Sequence, residues 1–171
     1  DLTTLEKTGK FKGLGEVVRV YNGKKGLHLV VLYLVIDKWR IPWSYRVYRG
    51  KGHPSPAVLA QRLLRTLPRQ LGRTFRVLVL ADSAFSSVPF LTSVRRLGFH
   101  ALVGIGKNRK TVEGHSISSL RGERGQILLI DLPFSVSLAH YYFKRHDGVL
   151  MKRYLICTRQ LKPSTMRWWG K

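Results

Sequence analysis

The chain has 171 residues and carries 31 Lys and Arg against 9 Asp and Glu, a formal net charge of +22. A hydrophobic fraction of 44% excludes a disordered basic tail and fits one globular domain with a sizeable core. The single cysteine, Cys157, excludes internal disulfides and a cysteine-based zinc cluster within one chain, and favours a reducing compartment. Self-repulsion of this size is best relieved by a polyanion, so nucleic acid leads as partner, ahead of membrane surfaces and acidic proteins. The cations occur in every segment, which suits a folded surface tracking phosphates better than a detachable arm. No signal-peptide layout is present, and the longest apolar run, Leu27 to Ile36, is too short to cross a bilayer. The opening residue is not Met and the last residues are Trp168-Trp169-Gly170-Lys171, so both ends are expected to be cuts within a longer protein.

In chain order, residues 5 to 26 are polar, rich in Lys and Gly, and predict mostly loop. Leu27 to Asp37 predicts a strand buried on both faces. Arg40 to Tyr48 alternates, with Trp43, Tyr45 and Val47 on one side and Ser44, Arg46 and Tyr48 on the other; the short break at Asp37-Lys38-Trp39 predicts an antiparallel hairpin. After the loop Gly50 to Pro54, Ser55 predicts an N-cap with Pro56 at the first helical position. Leu59, Leu63 and Leu67, with Ala60, Leu64 and Leu71 alongside, predict an amphipathic helix reaching Gly72, its last turn kinked by Pro68.

Phe75 to Ala81 predicts a buried strand ending in Asp82. A helix from Ser87 to Leu97 follows, stopped by Gly98, then a strand from Phe99 to Ile105 that leads into Lys107-Asn108-Arg109-Lys110. The two strands joined by that helix should be parallel neighbours, giving a mixed sheet with helices packed on it. Three further strands are predicted over Gln126 to Ile130, Val136 to Phe143 and Val149 to Thr158, the last two joined at His146-Asp147-Gly148. They form either an extension of the same sheet or a small inserted subdomain. A helix starts at Ser164 and carries Trp168 and Trp169.

Asp82 stands out because acidic residues are scarce and this one ends an apolar strand. Carboxylates at strand ends suit Mg²⁺, which takes one or two of them together with substrate phosphate oxygens. Asp82 equally suits capping of the turn into the next helix, and Asp1 by itself carries almost no information. The histidines lack metal-ligand spacing, and His28 and His100, at the starts of apolar strands, are expected to be satisfied strand residues. No nucleophile elbow, phosphate-binding glycine loop or dinucleotide motif is present, since Gly104-x-Gly106 lacks a third glycine. Lys107, Arg109 and Lys110 are candidate phosphate contacts, as are Arg46, Arg49 and Lys51. Trp39 and Trp43 are expected to be core or hairpin aromatics rather than base-stacking groups.

Asp1-Leu2-Thr3-Thr4, followed at a distance by Leu80-Ala81-Asp82-Ser83-Ala84-Phe85, resembles the DDE transposases of bacterial insertion sequences. The resemblance covers essentially the whole chain and implies an α/β fold, with a ribonuclease-H-like mixed sheet flanked by helices. It implies a partial catalytic core over 1–110, a β-rich insertion or extension over 111–163, and over 164–171 the start of the helix that bears the third acid. Asp1 and Asp82 would then be catalytic carboxylates binding Mg²⁺ or Mn²⁺. The family's third acid is a Glu within a pattern of aromatic, two residues, Arg, three residues, Glu. Trp168 or Trp169 fits the opening aromatic, and no Glu follows, so the segment is expected to be catalytically incomplete. Glu113, Glu123, Asp131 and Asp147 sit in unsuitable contexts and are not assigned that role.

The implied activity is metal-dependent cleavage and strand transfer on double-stranded DNA at element ends. A homo-oligomer on paired ends is implied too, as is a bacterial cytoplasmic, nucleoid-associated location with no membrane partner. The alternatives are a non-catalytic basic nucleic-acid-binding module and a nuclease of the same superfold.

Overall fold

The computed structural model describes residues 2–6, 9, 13, 15, 17–21, 23–120 and 124–170. Asp1 and Glu123, both weighed above, lie outside them. Packing divides the chain into two compact units, residues 1–68 and 69–171, where composition alone predicts one. The division expected from the resemblance is one of roles; this one is of packing, and its boundary falls elsewhere.

In the first unit, β1 (Leu2–Glu6) pairs antiparallel with one side of β3 (Lys24–Ile36), and β2 (Arg19–Tyr21) and β4 (Trp39–Tyr48) pair antiparallel with its other side. Structure therefore extends into the segment expected to be loop, because Lys24 to Gly26 continue β3 beside β1 and β2. The β3–β4 hairpin forms as expected. Asp37 takes φ 53° in its turn, a left-handed conformation that Asp tolerates better than most residues.

Tyr45 lies opposite Val31, Val47 opposite Leu29 and Arg46 opposite Val30, which gives the expected alternation from Ser44 onward. Trp43 leaves it. The register shifts between Leu32 and Tyr33, so Ser44 and Pro42 take the paired positions, while the Trp43 indole donates to Thr66 Oγ1 at 3.1 Å. A proline, which has no N–H for a ladder, is tolerated at such a bulge.

The expectation of burial on both faces of β3 fails over its distal half. His28 and Val30 are buried, whereas Val35 and Ile36 are exposed. Helix α1 (Pro56–Leu64) packs on β3 and β4, and nine residues of helix are too short to cover the whole hairpin. Trp39 and Trp43 are likewise exposed hairpin aromatics, not core.

The start of α1 follows its sequence: Ser55 Oγ accepts the Val58 N–H, and Pro56 occupies the first turn. Leu59, Leu63 and Leu64 are buried, each contributing about 1.5–3 kcal/mol by leaving water. The helix stops at Leu64, earlier than its leucine spacing predicts. Thr66 Oγ1 bonds the Leu63 carbonyl, and Pro68 disfavours helical backbone at Leu67. Leu71 and Gly72 belong instead to a separate turn, α2 (Leu71–Thr74).

The second unit holds a five-stranded mixed sheet in the order β5-β6-β9-β8-β7. Its strands are β5 (Leu78–Ala81), β6 (His100–Ile105), β7 (Arg124–Ile127), β8 (Val136–Lys144) and β9 (Leu150–Cys157). β5 and β6 are parallel and the other pairs antiparallel, so the β-rich third continues the sheet through β9 on β6. β5 is shorter than predicted, with Phe75 left exposed, and as a terminal strand it is only partly buried.

α3 (Val88–Arg96) buries Phe90, Leu91 and Val94 and ends before Gly98 at φ 78°, as the sequence predicts. α4 (Pro163–Gly170) packs on the sheet through Met166, which joins Leu102, Ala139, Leu155 and Cys157 in one cluster. Trp168 and Trp169 stay exposed and meet edge to face at 4.6 Å.

Candidate active site

The site is built on the end of β5. Its last pair, Ala81 with Val103, leaves Asp82 extended beyond the ladder, beside Gly104 of β6. Asp82 Oδ1 accepts the Ala84 N–H at 2.9 Å and so caps the short helical turn Ser83–Phe85. This is the capping role the local sequence allows. It uses one of the roughly four acceptor positions of a carboxylate, so the same exposed side chain remains suitable as a hard oxygen ligand.

Three contacts fix the turn. Phe85 is 1% exposed and packs its ring 5.7 Å from that of Phe90. Gly104 lets the Ser83 backbone lie close: a Cβ there would stand 3.1 Å from Ser83 N. The third contact is Arg109. Its Nη1 donates to the Ser86 carbonyl at 2.6 Å, and its Nε donates to both Asp131 carboxylate oxygens at 3.0 Å. Nη2 lies 2.9 Å from Asp131 Oδ2 but outside good hydrogen-bond geometry, making it a contact of charge rather than a bond.

Arg109 was expected on the phosphate-facing surface. Its side chain is 14% exposed, and its donors tie the turn after Asp82 to Asp131. Arginine's planar fork suits such a job, which an ammonium does not replace. Lys107 and Lys110 of the same run are exposed. Backbone bonds from Ser118 to the Lys107 carbonyl and from Ile130 to the Lys110 carbonyl hold their segment in place.

Two of the acids considered as substitutes have internal work. Asp131 holds Arg109; Asp147 pairs with Arg145 at 3.0 Å and accepts the Val149 N–H. Among the described residues, no group of three or more His, Cys, Asp or Glu gathers as a metal site.

His28 is a satisfied strand histidine: Nε2 donates to the Arg19 carbonyl at 3.0 Å, which leaves Nδ1 to accept from Thr4 Oγ1 at 2.8 Å. His100 departs from expectation. Its Nδ1 is buried without a hydrogen-bond partner, and burial, then Arg159 and Arg95, push its pKa below the usual value. Cys157 is buried in the sheet, and burial pushes its thiol pKa up.

In the first unit, Arg46 and Arg49 line a cleft together with His53 and Arg62, residues the sequence did not single out. Lys51 is exposed in the neighbouring loop and is not part of the lining. Spacing alone could not have found this group, because Arg62 comes from α1 and the others from β4 and its loop.

The chain is a cation-rich mixed α/β protein that presents an aspartate at the C-terminal tip of a parallel strand, the end at which open α/β sheets bind their ligands. Residues 1–166 match the transposase DDE domain, and the chain belongs to that family. Comparison with curated proteins found no match. The family acts on DNA and generally uses divalent metal ions, a requirement that Asp82's oxygen donors fit. No helix among the described residues is long and apolar enough to cross a membrane.

Proposed function

We propose that the chain is the catalytic region of an insertion-sequence transposase. Its core over 1–110 is ribonuclease-H-like, its β-rich part covers 111–163, and its final helix starts at 164. Asp1 and Asp82 hold Mg²⁺ or Mn²⁺. When bound, such ions activate an attacking oxygen and stabilise the leaving one in phosphodiester transfer. Asp82 presents its carboxylate from a turn that Arg109 and Phe85 keep rigid, which reduces the reorganisation needed on binding. Lys107, Lys110, Arg46, Arg49 and Lys51 neutralise phosphates of double-stranded DNA. The phosphodiester at an element end is cut with water as nucleophile, and the freed 3′-hydroxyl then attacks target DNA. Two ends must be held together, so the working form is a homo-oligomer on DNA, in the bacterial cytoplasm at the nucleoid.

The observation that carries this reading is the fixed carboxylate at the tip of β5 in a chain of this family. The Ala84 bond also suits a purely structural Asp82, and a metal titration separates the two. Asn caps as well as Asp, so Asp82→Asn preserves the turn. Loss of a partner behind a metal ligand already weakens binding about 10–100-fold; loss of Asp82 itself should weaken Mn²⁺ binding, followed by water-proton relaxation, at least as much. Duplex DNA binding is retained, and in a version of the chain carrying the third acid, nicking is abolished. Unchanged Mn²⁺ affinity would leave a basic DNA-binding module without this chemistry.

A further inference from the structure

The segment after β6 folds back on itself as a small ladder. Lys110 and Ser116 are bridged antiparallel, with the Thr111 N–H on the His115 carbonyl at 2.8 Å and the Ile117 N–H on the Arg109 carbonyl at 2.9 Å. These bonds flank the Lys110–Ser116 pair instead of joining it. It is therefore a non-hydrogen-bonded pair, the kind whose side chains stand closest, and both leave the ladder on one face. The next pair along, Arg109 and Ile117, takes the other face: Arg109 reaches Asp131 and the Ser86 carbonyl, and Ile117 is fully buried. Ser116 Oγ lies 3.0 Å from Ser118 Oγ, which brings a second hydroxyl to the side of Lys110. The Ser118 N–H donates to the Lys107 carbonyl at 3.1 Å and so fixes that residue to the ladder. Lys110 and Ser118 are exposed and Ser116 is half-buried. Among the described residues Lys110 makes no ion pair; Glu113, at the tip of the same fold-back, is exposed.

Two hydroxyls in contact place one proton between them and leave the other free to point outward. An outward O–H beside an ammonium group is a pairing that holds phosphate oxygens in protein–DNA contacts. The place of this pairing is fixed as well. Arg109, next to Lys110, donates to the Ser86 carbonyl at 2.6 Å and so ties the ladder to the turn that follows Asp82. We propose that Lys110, Ser116 and Ser118 form one binding site for a single backbone phosphate of DNA, beside the turn that bears Asp82. The site deepens the DNA-processing reading above and rests on it for the identity of the polymer. What it adds is the two serines, which carry no charge and stand apart from any count of positive residues.

The test is a double-mutant cycle on binding to a labelled DNA duplex, followed by fluorescence anisotropy without metal. Ser118→Ala weakens binding about threefold or more, as expected for a lost hydrogen bond to a charged group. It leaves the salt dependence unchanged, because no charge is removed, and Ser118→Thr, which keeps the hydroxyl, binds as the native chain does. Lys110→Ala lowers the log–log salt slope by about one. Groups that grip the same phosphate are coupled, so Ser118→Ala costs little once Lys110→Ala has been made. Combined with Lys51→Ala, in the other unit, it costs its full factor. The proposal falls if Ser118→Ala binds like the native chain, or if its loss adds in full to that of Lys110→Ala. Inorganic phosphate, exchanged for chloride at constant ionic strength, does not displace the duplex; a displacement that vanishes in Ser118→Ala would give the site to free phosphate and overturn the assignment to DNA. The Mn²⁺ titration of Asp82→Asn is read without DNA, so failure of this site and failure of the catalytic reading are told apart.

Discussion

Two basic runs of similar composition are used in opposite ways. Arg46 and Arg49 are exposed and line an open cleft in which, among the described residues, no carboxylate takes part. In Lys107-Asn108-Arg109-Lys110 the arginine turns inward, binds Asp131 and the Ser86 carbonyl, and holds the turn that bears Asp82. Positive charge in a sequence is therefore not a measure of what is offered to DNA. In the first run the charge is left exposed; in the second, part of it is neutralised within the fold, and only the lysines face water.

The sharpest way to break this contrast is Arg109→Leu. Removing a charged donor from a half-buried carboxylate and a carbonyl should cost about 1–3 kcal/mol in urea denaturation. Arg109→Lys should recover little of it, because one ammonium cannot span both acceptors. If Arg109→Leu unfolds at the native urea midpoint and binds DNA more weakly, the two runs are alike and the internal role is wrong.

The converse experiment is the pair Arg46→Ala and Arg49→Ala. Both sites lie on open surface, so stability should move by no more than about 0.5 kcal/mol. The salt slope of duplex binding should fall by about one for each phosphate that is no longer neutralised. A large stability loss here would show that these arginines, too, serve the fold.

A smaller effect sharpens the picture at a third cationic group. His100 is opposed by burial and by Arg159 and Arg95, so its folded pKa lies below the ordinary 6.5. Below pH 6.5 the unfolded chain takes up the proton more readily. The contribution of His100 to stability is therefore complete above that pH and is lost as pH falls through 6.5 towards the folded value. In His100→Asn this part of the acid slope in thermal melts should flatten; an unchanged slope would assign the acid sensitivity to other groups.

Where short-range rules applied, the chain was legible. Ser55 and Pro56 start α1, Gly98 ends α3, and Asp37-Lys38 turns the hairpin, each through a local backbone preference. What escaped was long-range. The early end of α1 depends on Thr66 and Pro68 overriding a continuous leucine stripe. Exposure of Val35 and Ile36 depends on how far α1 reaches, which no strand pattern records. β9 joins β6 across about fifty residues, so the choice between extension and insertion required tertiary pairing. Asp82 was legible as a cap or a ligand, and its bond to Ala84 displays the first role. Arg109 was legible only as one more positive residue, since nothing local signals that Asp131 and Ser86 await it.

The lone thiol has a practical consequence. Cys157 is fully enclosed between neighbouring strands and hard to ionise there, so maleimide reagents should pass over the native protein. A cysteine placed on an exposed position, such as Val20 or Lys51, would then be labelled selectively with the natural background left in place. Dyes or spin probes attached in pairs would turn this protein into its own ruler, reading the spacing between the hairpin and the tip of β5 as DNA is added.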